Sequence, residues 1–118
     1  MPPQAAGTLP KEERLNGRKD IASLLAGGKW GSAGCLRYCS LPNGLEYSRI
    51  VVSVPKRLFK RAVKRNLLKR RIREAYRTGK HLNTSLQHDI LFQYVSPEIS
   101  DFREIKLSVD TILKRLAK

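Results

Sequence analysis

Residues 48–80 read SRIVVSVPKRLFKRAVKRNLLKRRIREAYRTGK, and the architecture turns on this stretch. Ser48 to Val54 is rich in β-branched residues, which suit a pleated, half-buried surface and predict a strand. Pro55 ends it. From Lys56 to Lys80 the pattern changes. Leu68, Ile72, Ala75 and Tyr76 stand at i, i+4, i+7 and i+8, one apolar stripe of a helix. At about 100° per residue, Asn66, Arg70, Arg73 and Arg77 form a second stripe on another face. Arg65 and Lys69 flank the apolar edge, and Lys60, Lys64 and Arg71 lie on the far side. A helix over 56–80 is therefore predicted directly after a strand.

The charge of this helix points to its partner. Between Lys56 and Lys80 there are 12 basic residues and one acid, Glu74, out of 24 Lys and Arg in the chain. The segment carries +11 of the formal +14, and the rest of the chain only +3. A solvated helix normally intersperses acids to form i,i+4 pairs; like charges at that spacing repel. A polyanion relieves such repulsion. Arg supplies planar bidentate donors for phosphate and can stack on bases in irregular RNA. Asn66, uncharged within the basic stripe, can donate and accept, which suits a 2′-hydroxyl, a base edge or a cap. A plain solvated basic face explains the run less well, because such tracts rarely carry a clean apolar stripe. A membrane-surface helix fits poorly, since the stripe is short and lacks Trp or Phe.

Outward from this unit, 118 residues with 41% apolar content fit one domain with a modest core. Residues 1–8 (MPPQAAGT) are expected to form a loose tail, and 9–118 a single RNA-binding domain. Leu15 opens the first element; Asn16 is a candidate N-cap, Ile21, Leu24 and Leu25 mark one helical face, and Gly27 and Gly28 close it. Gly34 to Ser40 reads as a short strand, and Leu41-Pro42-Asn43-Gly44 as a turn. His88 to Val95 is a second strong strand, broken by Ser96-Pro97. Asp101 with Glu104 resembles a capping box, and Ile105, Val109, Ile112, Leu113 and Leu116 follow at helical spacing. The element order predicts an α+β protein, an α/β sandwich with helices packed on a sheet.

Several chemistries find no support. No run of about 18 apolar residues is present to span a membrane. Met1 to Pro10 lacks the basic and long apolar regions of a signal peptide, so a cytoplasmic protein is expected. The acids are scattered, with no cluster of the kind that holds two metals in a protein nuclease. His81 and His88 have no evident triad partners and read as surface residues. Cys35 and Cys39, if they share a strand, stand roughly 13 Å apart. A disulfide needs about 7 Å or less, so both read as structural or incidental thiols. No catalytic residue, no metal ligand and no protein partner is expected.

At the level of motif, Ala62 to Arg77 resembles the signature of the bacterial ribonuclease P protein family. That signature is Arg-Asn-Arg, one residue, Lys-Arg, two residues and Arg, ending in a small residue and an aromatic. Arg65, Asn66, Lys69, Arg70, Arg73, Ala75 and Tyr76 match it. The strand Ile50 to Val54 followed by Pro55-Lys56-Arg57 is similar to the family's strand ending in two basic residues. Leu9 to Leu15 looks like its N-terminal segment, so the resemblance spans about residues 9–117. Leu67 departs from the pattern, standing where the family has its second Arg, and lies about 140° from Ile72 by angular count, off the docking stripe. The two Phe residues usual on the family's first helix are replaced by Ile21 and Leu25.

The resemblance implies a ribosomal protein S5 domain 2-like fold, α-β-β(-β)-α-β-α. Its strand–helix–strand unit crosses over with left-handed sense, against the usual rule. It implies a subunit of a ribonucleoprotein that cuts the 5′ leader from precursor tRNA. Catalysis would belong to the RNA subunit, with divalent metal, Mg, in the RNA active site and no cofactor on the protein. The expected contacts to RNA are Lys56, Arg57, Arg61, Lys64, Arg65, Asn66, Lys69, Arg70, Arg73 and Arg77. A cleft between the first helix and the sheet, near Tyr38, Ile21 and Leu25, is expected to hold the leader. A basic ribosomal or RNA-chaperone protein and a DNA-binding helix are the other classes compatible with the charge.

Overall fold

A computed structural model describes residues 13–15, 17–79 and 87–117. The elements are α1 (Arg18–Gly27), β1 (Lys29–Ala33), β2 (Leu36–Pro42), β3 (Arg49–Ser53), α2 (Ala62–Gly79), β4 (His88–Tyr94) and α3 (Phe102–Leu116). The four strands form one sheet in the order β1-β2-β4-β3. β1 and β2 are an antiparallel hairpin, β4 runs antiparallel to β2, and β3 runs parallel to β4. The parallel pair is joined through α2, the strand–helix–strand unit that the family resemblance implies.

Strand alternation sorts the side chains onto two faces. Leu36, Tyr38, Ile50, Val52, Ile90, Phe92 and Tyr94 point to one side, where α2 and α3 supply Leu68, Ile72, Tyr76, Ile105, Val109 and Ile112. Cys39, Leu91, Val51 and Leu41 point to the other side, where α1 supplies Leu24 and Ile21. The molecule is thus a sandwich with two helices on one face of the sheet and one on the other.

Local chemistry fixes the ends of these elements. Asp101 caps α3, its Oδ1 accepting from the Glu104 backbone N–H at 2.9 Å. The Tyr94 hydroxyl accepts from Ser100 N–H at 2.8 Å, bonds Ser100 Oγ and donates to the Glu98 carbonyl, so one buried phenol organises the approach to α3. Gly28 ends α1 where a Cβ would come within 2.5 Å of both Cys39 Sγ and the Leu24 carbonyl, so only glycine permits this approach. Arg49 joins three elements. It grips Asp89 of β4 at 2.8 and 2.7 Å and reaches Asp20 of α1 at 3.3 Å. Arg14 and Leu15 lie against the outer edge of β3, with Leu15 N–H donating to the Ile50 carbonyl at 2.7 Å, which covers part of an edge otherwise open to another chain.

Four expectations need correction. The basic helix starts at Ala62, not Lys56. Continued helically, Phe59 would stand about 140° from Ile72, on the basic stripe. Instead Leu58 N–H turns back onto the Pro55 carbonyl at 3.1 Å, and Phe59 is buried against Tyr94 with ring centroids 5.9 Å apart. The strand expected over Gly34 to Ser40 begins two residues later and runs on as β2 to Pro42, while Gly34 and Cys35 form the hairpin turn from an additional strand, β1. Gly34 adopts φ +56° there, a conformation natural to glycine. Cys35 therefore sits in the turn and does not share a strand with Cys39; both thiols are free, Cys39 donating to the Leu24 carbonyl at 3.3 Å. His88 is buried at the start of β4, not on the surface, because β4 is central and covered on both faces. Asn16, Lys80, His81 and the 1–8 tail lie outside the described residues; the residue preceding α1 is Gly17, which offers no side chain for capping.

Candidate nucleic-acid interface

α2 is fastened along Leu68, Ile72, Ala75, Tyr76 and Gly79, all buried. On one side it meets α3, and Arg71 donates at 2.7 Å to the carbonyl of Ser100 in the segment that leads into α3. Its outward side carries the basic stripe. Lys64, Asn66 and Arg70 are exposed and Lys69 is half-buried. None of these four has a protein partner among the described residues. Lys56 and Arg57 are exposed on the turn that precedes α2, and Arg61 is exposed at the helix entry. Phe59 anchors this turn from below, so the two basic tips are held on a fixed loop and not on a continuation of the helix.

Three of the arginines expected to meet RNA have other attachments. Arg65 donates to the carbonyls of Phe59 and Lys60 at 2.8 and 2.7 Å. It ties the turn to the helix. Arg77 pairs with Glu74 at 2.6 and 3.2 Å. That contact holds the Glu74 carboxyl below its ordinary pKa and raises that of Arg77. Arg73 is half-buried beside β3, and desolvation, aided by the nearby Arg14 charge, lowers its pKa. Arg73 and Arg14 line a cavity of about 280 Å³ together with Ile21 and Val51. Sequence reasoning did not single out Arg14; the only signal was its place in the Leu9 to Leu15 segment.

The expected leader cleft is rearranged. Ile21 is half-buried and Leu25 is 43% exposed on α1, on the Cys39 side of the sheet. Tyr38 is buried on the opposite side, in the core beneath α2 and α3. Strand alternation forbids Tyr38 from sharing a cleft with Ile21 and Leu25. The exposed aromatic on the α1 side is Trp30 of β1, which pairs with Cys39. Among the described residues no group of three or more His, Cys, Asp and Glu could hold a metal ion.

Comparison with known proteins accounts for this layout. The family model described as Ribonuclease P matches residues 9–117. The chain belongs to the ribonuclease P protein family. A ribonuclease P protein component from Porphyromonas gingivalis strain W83 is 41% identical, with 92% of this chain and 86% of the relative aligned. One from Petrotoga mobilis is 33% identical over 92% of this chain and 95% of its own. The solved ribonuclease P protein from Thermotoga maritima superposes with a TM-score of 0.77 at 29% identity, covering 87% of this chain and 96% of that one. The Staphylococcus aureus protein gives 0.75 at 26% identity, covering 87% and 94%. The ribonuclease P role that the motif of α2 implied is therefore the role of this chain: a subunit of an endoribonuclease of tRNA 5′ maturation. Within that family signature, Arg70 is a free surface cation here, Arg65 a structural tie and Arg73 a cavity wall.

Proposed function

We propose that this chain binds the catalytic RNA of ribonuclease P through the outward face of α2 and the preceding turn, and that its α1 side carries the 5′ leader of precursor tRNA. The observation that carries this reading is the unneutralised set Lys56, Arg57, Arg61, Lys64, Lys69 and Arg70, grouped on one helix and its entry loop. Desolvated or paired cations would have little left for phosphate; these have no protein partner among the described residues. Phosphate contacts of this kind dominate affinity and make it salt-dependent. Asn66, among them, is suited to a 2′-hydroxyl or base edge. The leader role is supported by the open face of the sheet beside Ile21 and Leu25.

In this reading the protein positions RNA, and the divalent metal ions, Mg, act in the RNA active site. The chain works in the cytoplasm; no helix among the described residues is long and apolar enough to cross a membrane. The test is reconstitution with a bacterial ribonuclease P RNA. Leader removal from a precursor tRNA should be faster with the protein than with the RNA alone. Equal rates with and without it would overturn the proposal, and equal affinity for duplex DNA and ribonuclease P RNA at matched salt would overturn the RNA assignment.

A further inference from the structure

The α1 face of the sheet is only partly covered. Strand register places Trp30, Cys39, Leu91 and Val51 in one row across all four strands, and Ser32, Arg37, Gln93 and Ser53 in the next row on the same face. α1 packs over the inner part of the first row through Leu24 and Ile21. Trp30 stands at its outer end, 43% exposed, and belongs to neither core cluster. The Arg37 guanidinium lies 4.2 Å from the centre of the Trp30 ring. Arg37 is exposed and has no carboxylate partner among the described residues.

An indole on an edge strand, flanked by Lys29, Gly31 and Ser32, contributes little to the core. It offers a broad π-face to solvent, and the cation held against it adds a second planar group. Single-stranded nucleic acid is bound by such means: bases stack on aromatic rings and Arg planes, while cations follow the backbone. The second row supplies hydroxyl and amide groups at Ser32, Gln93 and Ser53 that can meet base edges or a 2′-hydroxyl. Three strand spacings make that row about 14 Å long, room for two or three nucleotides, as on other four-stranded RNA-binding sheets. Past Ser53 the chain passes through Val54 and Pro55 to Lys56 and Arg57, so the row ends at the basic turn.

We infer that Trp30 and Arg37 form a stacking site for an unpaired nucleobase, at the outer end of a single-stranded RNA path that crosses the sheet to Lys56 and Arg57. The inference rests on the proposal that this face carries the leader, and adds which residues grip it. The α1 positions Ile21 and Leu25 are aliphatic, so the stacking contact lies on β1 instead of the helix.

The experiment uses holoenzyme reconstituted from the full chain and a bacterial ribonuclease P RNA. Affinity is measured for a leader-bearing precursor tRNA and for the matched leaderless tRNA. Trp30→Ala should weaken the first roughly tenfold, within the range for one lost base stack, and leave the second unchanged. Trp30→Phe should keep most of the preference, and Arg37→Gln should lose part of it. Trp30 is the single tryptophan of the chain, so its emission reports the contact directly and should be quenched when the leader binds. A preference for the leader that survives Trp30→Ala, with unaltered Trp30 emission, overturns the stacking site and leaves the leader proposal standing. If the wild type shows no preference for the leader, that proposal fails. The stacking site is then decided by titrating the free chain with an unstructured oligoribonucleotide: quenching upholds it, and unchanged emission overturns it.

Discussion

Arg65 holds the carbonyls of Phe59 and Lys60, whereas Arg70, five positions on, holds nothing among the described residues. Arg65→Ala strands two acceptors at the start of α2 and is expected to cost roughly 1–3 kcal/mol of stability, read as a lower melting temperature. Arg70→Ala should leave the melting temperature unchanged, weaken binding to ribonuclease P RNA, and reduce the salt slope of log affinity by about one. A melting temperature that falls equally in both variants would contradict this division. Tyr76 gives a separate residue-scale expectation. Burial, with the Glu13 charge adding and Ser48 opposing, pushes its phenol up to about 12 from 10.0. The unfolded chain then loses this proton near its ordinary pKa while the folded chain keeps it. The contribution of Tyr76 is fully present below about pH 10 and is lost as pH rises towards about 12, at up to 1.4 kcal/mol per pH unit. Tyr76→Phe should flatten that part of an alkaline denaturation profile; an unchanged profile would place the phenol in contact with water.

At the scale of the element, α2 was readable because its two stripes differ in kind: one apolar and one basic, separated by helical geometry. Its first turn was not readable from charge. Lys56, Arg57, Lys60 and Arg61 continue the basic run without a break, and only the burial of Phe59 against Tyr94 shows that the chain is not helical there. β1 went unread for a different reason. Lys29 to Ala33 has no apolar alternation, and it is held as an edge strand by its register with β2. β3, β4 and α3, with strong periodicity or β-branched runs, fall within a residue or so of where the sequence places them. Among the site residues, the exposure of Lys64, Asn66 and Arg70 was legible, the cavity position of Arg73 and the Arg77–Glu74 pair were not, and Tyr38 was assigned to the wrong side of the sheet. Its facing depends on strand parity, and Tyr38 and Cys39 are adjacent apolar residues on opposite faces of β2, so the sequence alone does not say which of the two faces α1. Leu67 belongs to this scale too. It is half-buried and off the buried stripe of Leu68, Ile72 and Ala75. Leu67→Arg should therefore fold, bind ribonuclease P RNA more tightly and steepen the salt slope by about one. An unchanged slope would mean that position 67 does not meet phosphate.

For the whole molecule, +11 of the +14 charge falls within residues 56–80, and this gives two opposite responses to salt. The free chain should melt higher as NaCl is raised from low concentration, because a Debye length of about 10 Å at 0.1 M screens repulsion among the α2 cations. Its complex with RNA should weaken by roughly 10³–10⁵ between 50 and 200 mM if six to ten phosphates are neutralised. A melting temperature that falls with NaCl over the same range would show that internal ion pairs such as Arg49–Asp89 outweigh the repulsion. The order β1-β2-β4-β3 carries a further consequence, in time. The strand at the heart of the sheet is the last one synthesised: Ile50 of β3 waits for Ile90 of β4, forty positions later. On a ribosome, the β1–β2 hairpin, β3 and α2 all emerge before the strand that joins them. Until Tyr94 has cleared the exit tunnel, β2 and β3 each show an unpaired edge, and α2 has only part of the surface it docks on. Folding of this domain is thus deferred until β4 has emerged, and a chain truncated shortly before His88 keeps two sticky edges and an unshielded polycation.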